Sequence, residues 1–416
     1  MKYVAIMLKD VKKISLPQLG LFVALLSTLL IATIGVNTMP MLIGSAVESL
    51  KINPANAGLL ASLELGSVAF SSLILTRLVS KMSLRTLAVS GGMLAIIGHA
   101  SICFILIFPT LLNAKFIFLN GQELSLAYAV TATTRVLAGL GAGAALAAFS
   151  AAIANTEDPD RTYARLLIFN VSIYGFITAT LMRFMTVQFS FVGTYSSLGI
   201  VCLILIFFLY KLPQSASVGV NVDSSLKHKF QGGLLIVSLG IYAIGEGAIW
   251  AFAEQIGVGL HLSQQRISSV IGVGSVVGVF LGAGLATYIG TKFGRKIPLV
   301  SGLLAFGFSG FLLATCNTEI YYEILICLFI MSLYFILPYY MGAAASLDNL
   351  GRWASASTGM YLLGDTFGPS IAGQLIKMTG AYHAVGWLVL FTSVVPVLMM
   401  MPVLKLIENA LESKAI

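Results

Sequence analysis

The chain has 416 residues and a formal net charge of +8, with 58% hydrophobic and 10% charged residues and a mean hydropathy of +0.96. An ordinary soluble domain carries about 25% charged residues. This composition therefore excludes an ordinary soluble domain and indicates a polytopic membrane protein. The positive charge then predicts unequal loops on the two sides of a membrane rather than a nucleic-acid partner.

The first residues place a short apolar patch before a basic cluster. This is the reverse of the order in a cleaved signal peptide, so we expect the segment to stay in the cytoplasm. The cysteines lie in or beside apolar runs without paired spacing, which predicts neither a disulfide framework nor a zinc site. They are Cys103, Cys202, Cys316 and Cys327.

Twelve apolar runs follow in chain order, each long enough to cross a bilayer. An even number places both termini on one side, and most of the 24 Lys and Arg residues lie on that side. The positive-inside rule therefore predicts cytoplasmic termini in the cytoplasmic (inner) membrane. The runs are 17–47, 55–77, 85–110, 124–153, 163–186, 189–212, 231–256, 264–290, 297–316, 320–345, 353–377 and 383–405.

The longest polar interruption divides the chain into two halves. We predict an all-α protein with an N-terminal six-helix bundle (1–212), a cytoplasmic linker (213–230) and a C-terminal six-helix bundle (231–416). An internal repeat supports this division. Residues 80–85 correspond to residues 291–296, and Glu157…Arg161 corresponds to Asp348…Arg352.

A lone arginine, Arg135, lies near the middle of the fourth run. A charge at that depth costs at least about 2.5–3.5 kcal/mol on insertion scales, so we expect it to face protein or a water-filled cavity. Gly139, Gly141 and Gly143 follow it and predict close packing against a neighbouring helix.

Arg135 with its glycines, the Lys292–Lys296 turn, the weaker copy at 81–85 and the layout of six plus six spans together resemble the major facilitator superfamily. Within it, the chain resembles the bacterial proton-coupled drug and metabolite transporters. The resemblance implies twelve transmembrane helices in two pseudo-symmetric bundles that rock about a central site, with Gly294 and Arg295 in a gating turn.

Two departures from the family pattern matter. Ser80 and Thr291 stand where the family usually has aspartate, so we assign Arg352 no part in a latch between the halves. The family's Gly-Pro motif is missing from the fifth span, but Gly368-Pro369 occurs in the eleventh. A proline inside a helix removes a backbone hydrogen bond and kinks it, which predicts either a gating kink or a kinked packing helix.

Four acids lie within predicted spans, where carboxyls tend to pair or to take up protons. They are Glu64, Glu246, Glu254 and Asp365. We predict that Glu64 pairs with Arg135, since both lie near mid-depth, and that Glu254 is solvated near the outer surface. His99 is expected to be a hydrogen-bonded core residue rather than a proton relay.

The predicted proton-coupling residues are Glu246 and Asp365, with Glu64 as the next candidate. Each of the first two follows a tyrosine by four residues, and we expect that hydroxyl to lie within reach. Tyr242 and Trp250 flank Glu246 on one helix face, which suits an organic cation, although Trp250 also fits an interfacial belt. The predicted substrate-binding residues are Asn37, Tyr128, Arg135, Tyr174, Tyr242, Trp250 and Tyr361.

The predicted function is proton-coupled secondary transport of a small organic molecule by alternating access, with efflux by antiport favoured. The alternative is proton-driven uptake of an anionic nutrient or metal chelate held by Arg135. A membrane-embedded enzyme is a distant alternative, because the chain lacks His-Glu-x-x-His and Gly-x-Ser-x-Gly motifs. We expect a monomer in contact with lipid, with a small-molecule substrate and protons as partners, and no cofactor, metal or catalytic residue.

Overall fold

The structure is a computed structural model that describes residues 16–79, 82–108, 110, 114–117, 123–153, 156, 159–214, 228–290, 292–347 and 352–415. The long helices are numbered in chain order, and α6 begins within the fifth predicted run. They are α1 (Leu16–Asn37) with a continuation called the α1 extension (Met39–Leu50), α2 (Pro54–Leu78), α3 (Leu84–Ala100), α4 (Leu126–Ile153), α5 (Pro159–Ile177), α6 (Arg183–Ile206), α7 (Lys229–Gly259), α8 (Gln264–Ile289), α9 (Lys296–Thr315), α10 (Glu319–Leu347), α11 (Arg352–Thr379) and α12 (His383–Ala415).

Several short elements connect these helices. A π-helical turn, Thr178–Met182, joins α5 to α6. Strands β1 (Lys115–Ile117) and β2 (Glu123–Ser125) form an antiparallel hairpin between α3 and α4. The remaining short helical elements are Ser101–Cys103, Phe104–Ile107 and Leu209–Lys211.

Ten segments of the described chain are long and apolar enough to cross a membrane. One of them, Arg165–Lys211, has 47 residues, or about 70 Å of helix, which is roughly twice one crossing. This segment reverses at Ser190, where φ is 49°, so that the hydroxyls of Thr186 and Thr194 meet at 2.9 Å. With α11, which has 28 residues, the described helices provide the twelve predicted spans of a multi-pass membrane protein.

The first predicted run is not one helix, so this detail of the prediction was wrong. The helix breaks at Thr38, which has φ −97° and ψ 9°. The cause is Pro40 in the first turn of the α1 extension, because proline has no N–H to bond the carbonyl of Val36, four residues earlier.

Helix contacts repeat between the two halves of the chain. In the first half α4 packs against α2 and α3, and in the second the equivalent helix, α10, packs against α8 and α9. Between the halves, α2 packs against α11 and α5 packs against α8, and these two pairs exchange when the halves are swapped. The architecture is therefore two pseudo-symmetric six-helix bundles.

The exact domain boundaries stay predictions, because residues 215–227 of the linker lie outside the described residues. We call the end of the molecule where α6 leads towards α7 the linker end. The end where α7 turns into α8 is called the far end.

The glycines of α4 form the packing surface that the sequence predicts. A Cβ at Gly139 or Gly143 would overlap backbone carbonyl oxygens of α2, and one at Gly141 would overlap the backbone of α3. Small residues thus let α4 lie directly against two neighbouring helices. This close approach brings Arg135, on the same helix, next to α2.

Candidate functional site

Arg135 is fully buried in the first bundle and is paired with Glu64 of α2. Its Nη1 lies 3.1 Å from Glu64 Oε2, and the two side chains are 0% and 2% exposed. A buried ion without a partner is strongly unfavourable, so each of these charges makes the other tolerable. The predicted Glu64–Arg135 ion pair is confirmed.

Two further side chains complete what we call the arginine cluster, formed by Glu64, His99, Arg135 and Tyr195. Arg135 Nη2 lies 3.1 Å from His99 Nδ1, and since a guanidinium only donates, this ring nitrogen is the acceptor. The guanidinium carbon lies 4.3 Å from the Tyr195 ring centroid, which is a cation–π contact. His99 is thus a buried, hydrogen-bonded residue, as predicted.

The arginine cluster is closed on the side of α1. A Cβ at Gly35 would overlap Glu64 Oε1, so the missing side chain leaves the space that this carboxylate fills. Tyr195 is fixed by a hydrogen bond of 2.9 Å from its hydroxyl to the carbonyl of Leu42. The cluster is therefore buried, and its cation already has an anionic partner.

The second bundle contains two carboxyls that we call the acid pair, Glu246 of α7 and Asp365 of α11. Glu246 Oε1 accepts a hydrogen bond of 2.7 Å from Tyr361, while its Oε2 is buried without a partner among the described residues. Asp365 is 7% exposed, and a Cβ at Gly247, the residue after Glu246, would overlap its Oδ1. Of the ion pairs that the structure describes, none involves either acid.

The tyrosine of the acid pair comes from another helix than expected. We expected the Tyr242 hydroxyl to lie within reach of Glu246, but the hydroxyl that donates to Glu246 is that of Tyr361 on α11. Long side chains on a helix lean towards its N-terminus, so a tyrosine points away from the residue four positions after it. Tyr242 instead packs its fully buried ring against Phe306, with centroids 4.6 Å apart.

Asp365 and the Gly368-Pro369 segment lie where α11 packs between α7 of its own bundle and α2 of the first bundle. A Cβ at Gly247 of α7 would lie 2.7 Å from the carbonyl oxygen of Asp365, an oxygen that Pro369 cannot bond within the helix. A Cβ at Gly368 would overlap α7, whereas one at Gly58 of α2 would overlap the Pro369 carbonyl. Any movement between α2 and α7 therefore acts on this segment; its gating role stays a prediction.

Trp250 connects α7 to the break in α1. Its Nε1 donates to the carbonyl of Val36 at 3.1 Å, the carbonyl that Pro40 leaves without a helical partner. Asn37 is the next residue and is half-buried. The indole N–H is thus used between the two bundles, beside the predicted substrate residue Asn37.

The other two predicted substrate residues lie further apart. Tyr128 joins α4 to α2 near the far end, since its hydroxyl donates to the carbonyl of Asn56 at 3.2 Å. Tyr174 is 3% exposed on α5, beside Gly175, whose Cβ would lie 2.8 Å from the carbonyl oxygen of Gly272 on α8. Tyr174 therefore lies at a contact between bundles, and Tyr128 lies within one.

Glu254 is not solvated, so that expectation was wrong. It is 1% exposed, and its Oε1 accepts from Gln264 Nε2 at 2.8 Å. The same amide lies 3.4 Å from Glu48 Oε2, and a Cβ at Gly44 would overlap the Glu254 carboxyl. The α1 extension covers this end of α7, which a single straight first helix did not suggest.

The predicted gating turn lies at the linker end. Gly294 has φ +66°, a left-handed conformation that favours glycine. Arg295 donates to Ser346 Oγ near the end of α10, and partial burial lowers the pKa of its guanidinium, which stays charged at any ordinary pH. Several related sequence positions lie outside the described residues: Ser80, Lys81, Glu157, Thr291, Asp348 and the side chain of Arg352.

The contact between Ser62 of α2 and Ser370 of α11 was not predicted from the sequence. Their Oγ atoms are 2.8 Å apart, and the Ser370 amide donates to Ser62 Oγ at 3.2 Å. A signal was present, because Gly58, Ser62 and Gly66 repeat every four residues and so form one face of small residues on α2.

Comparison with solved structures identifies the fold. A crystal structure of a D-xylose–proton symporter matches with a TM-score of 0.71 and 15% identity, over 91% of this chain and 96% of that one. A mutant of the nucleoside transporter NupG matches with a TM-score of 0.70 and 13% identity, over 92% and 99%. The inward-open xylose transporter XylE from E. coli matches with a TM-score of 0.67 and 14% identity, over 89% and 93%.

No family model matches the sequence, and no curated protein matches it. At 13–15% identity the likeness to solved structures concerns the fold. The chain has the major facilitator fold over nearly its whole length, as the sequence motifs implied.

Proposed function

We propose that this membrane protein with the major facilitator fold is a proton-coupled secondary transporter of a small organic molecule. Its two bundles would move against each other and open a central site to each side in turn. The observation that carries the proposal is the acid pair. Asp365 is buried, Glu246 is half-buried with its Oε2 enclosed, and neither is ion-paired with a cation among the described residues. Both lie beside the α11 segment that touches both bundles.

Coupling follows from the cost of burying charge. Two adjacent carboxyls in a largely buried site cannot both be ionised without a large free-energy cost, so at least one proton is held there. When the site opens to water, hydration lowers the free energy of the ionised carboxylates, and the proton can leave. Access and proton occupancy are thereby linked, as a proton-coupled cycle requires.

The charge of the two sites indicates the class of substrate. Arg135 is already neutralised by Glu64, which weakens the alternative in which it binds an anionic nutrient. The acid pair carries negative charge when ionised and has Tyr361 as a neighbour, a setting that suits an organic cation. Competition between that cation and protons for the acid pair supports efflux by antiport.

Uptake by symport is the second candidate. It is supported by the likeness in fold to the D-xylose–proton symporter, and it would suit an uncharged substrate. The three solved structures compared above are transporters, which counts against the membrane-embedded enzyme. The inner membrane, the cytoplasmic termini and the monomeric state remain part of this proposal.

Transport into proteoliposomes under an imposed pH gradient tests the proposal. The probes are ethidium as an organic cation and D-xylose and uridine as uncharged molecules. An acidic interior should drive ethidium accumulation in the wild type, while Glu246→Gln and Asp365→Asn should each abolish it. Glu319→Gln removes an exposed acid and is the matched control, which should behave as the wild type.

The other outcomes are equally informative. Accumulation of D-xylose or uridine under an acidic exterior would establish symport in place of antiport. Full gradient-driven accumulation by both variants would move the coupling site elsewhere, with Glu64 the next residue to test. Transport by the wild type that ignores the pH gradient would contradict proton coupling.

A further inference from the structure

A groove of about 780 Å³ opens on the outside of the molecule at the far end, away from both the arginine cluster and the acid pair. It lies between the start of α6, α8 and α10. Its polar lining includes Arg183, Gln265, Arg266, Ser269 and Glu323. Because Arg183 belongs to the first bundle and the other four to the second, the groove follows a seam between the bundles.

The groove changes from polar to apolar with depth in the membrane. Beyond Ser269, α8 continues with Val270, Val273 and Val277 in the lining, and the rise from residue 269 to residue 277 is about 12 Å. Val273 is 58% exposed and Ile324, on the α10 wall, is 50% exposed. A ligand that fits is therefore polar at one end and apolar along its length.

The polar end carries one arginine that is not ion-paired with an acid among the described residues. Arg266 is paired with Glu323, with Nε 2.6 Å from Oε1. Arg183 Nη2 donates to Gln265 Oε1 at 3.0 Å, and its Nη1 lies 3.5 Å from Ser269 Oγ. Both of these partners are neutral, and in the described part of the chain no acid is ion-paired with Arg183. A guanidinium in this position suits a phosphate group.

We propose that this groove binds one anionic phospholipid. The phosphate would contact Arg183, and an acyl chain would lie along Val273 and Val277 between α8 and α10. Basic sites between transmembrane helices attract anionic headgroups, and the apolar wall supplies the second contact that a free anion would not use. The lipid would touch both bundles and so stabilise the seam at the far end.

Native mass spectrometry of the purified full chain tests this site, with dioleoyl-phosphatidylglycerol as the anionic lipid and dioleoyl-phosphatidylcholine as the zwitterionic one. The wild type should retain one phosphatidylglycerol in preference to phosphatidylcholine. Arg183→Gln should weaken its retention about tenfold, because a charge-assisted contact is lost. Lys377→Gln, which removes an exposed basic residue of α11, is the matched control and should change nothing.

A second variant, Val273→Trp, fills the apolar part of the groove and keeps both arginines. It should also lose the bound phosphatidylglycerol, and it decides the question if Arg183→Gln does not fold. Equal retention of phosphatidylglycerol by the wild type and Val273→Trp would overturn the proposal, as would equal retention of the two lipids by the wild type. Equal thermal stabilisation by glycerol phosphate, which has no acyl chain, would show an anion site instead of a lipid site.

Discussion

Arg135 and Glu64 depend on each other, because each is a buried ion and, within the described part of the chain, each has no other counter-ion. Removing Arg135 alone leaves an unpaired carboxylate in the first bundle. Arg135→Ala should therefore cost about 3–5 kcal/mol of stability, and Arg135→Gln combined with Glu64→Gln should recover most of it. Folded yield and the melting temperature in detergent measure both effects.

The control is an ion pair of the same chemistry on the surface. Arg266 and Glu323 are 58% and 30% exposed, so Arg266→Ala should cost no more than about 1 kcal/mol. An Arg135→Ala protein as stable as the wild type would contradict the assigned interdependence of Arg135 and Glu64.

The sequence predicted this pair because position along two spans is enough to place both residues at one depth. It did not predict Tyr195 on Arg135, since depth alone does not say which helices are neighbours or how each is rotated. The Tyr361–Glu246 hydrogen bond was missed for a related reason: it crosses from α11 to α7, whereas spacing along one helix relates only residues of that helix.

The packing of α7 against α11 depends on the absence of side chains where the two helices meet. A Cβ at Gly368 would lie 2.6 Å from the backbone nitrogen of Ala248, whereas one at Gly284 of α8 would meet nothing within 4 Å. Gly368→Ala should therefore destabilise the protein by about 1–3 kcal/mol through overpacking. Gly284→Ala should leave stability unchanged or raise it slightly, because alanine favours a helix.

Thermal unfolding of the two variants beside the wild type measures this difference. Equal melting temperatures for Gly368→Ala and Gly284→Ala would show that α11 is not tightly held against α7. Close packing at Gly368-Pro369 would then no longer support a link between α11 and the acid pair.

At the level of helices, long apolar runs predicted twelve spans because a bilayer requires about 20 apolar residues whatever the tertiary fold. Counting apolar runs did not reveal the break at Thr38, since the residues on both sides of it are apolar. Pro40 was the available signal, because proline is favoured in the first turn of a helix and not inside one. The cover that the α1 extension provides over Glu254 depends on this break.

In the molecule as a whole, alternating access requires the two bundles to separate at their contacts. Ser62 and Ser370 lie on opposite bundles with Oγ atoms 2.8 Å apart, so cysteines at both positions should form a disulfide with little backbone movement. In a background without the four native cysteines, oxidation of the double variant should stop ethidium transport in proteoliposomes. Reduction should restore it.

Each single cysteine variant is the control and should transport in both redox states. Transport by the oxidised double variant at the rate of its reduced form, with the cross-link shown to be complete, would mean that α2 and α11 do not separate during the cycle. Rocking of the two bundles that opens the contact between α2 and α11 would then be excluded.

Proton exchange at the acid pair is tested most directly by measuring protons released when substrate binds. Purified protein in weakly buffered detergent is mixed with ethidium while a pH-sensitive dye reports the proton count. The wild type and the Glu319→Gln control should release protons on binding, and Glu246→Gln and Asp365→Asn should each release fewer. Two results would contradict the assignment of the coupling proton to Glu246 and Asp365. One is binding of ethidium by the wild type without proton release, and the other is release by both acid-pair variants equal to that of the wild type.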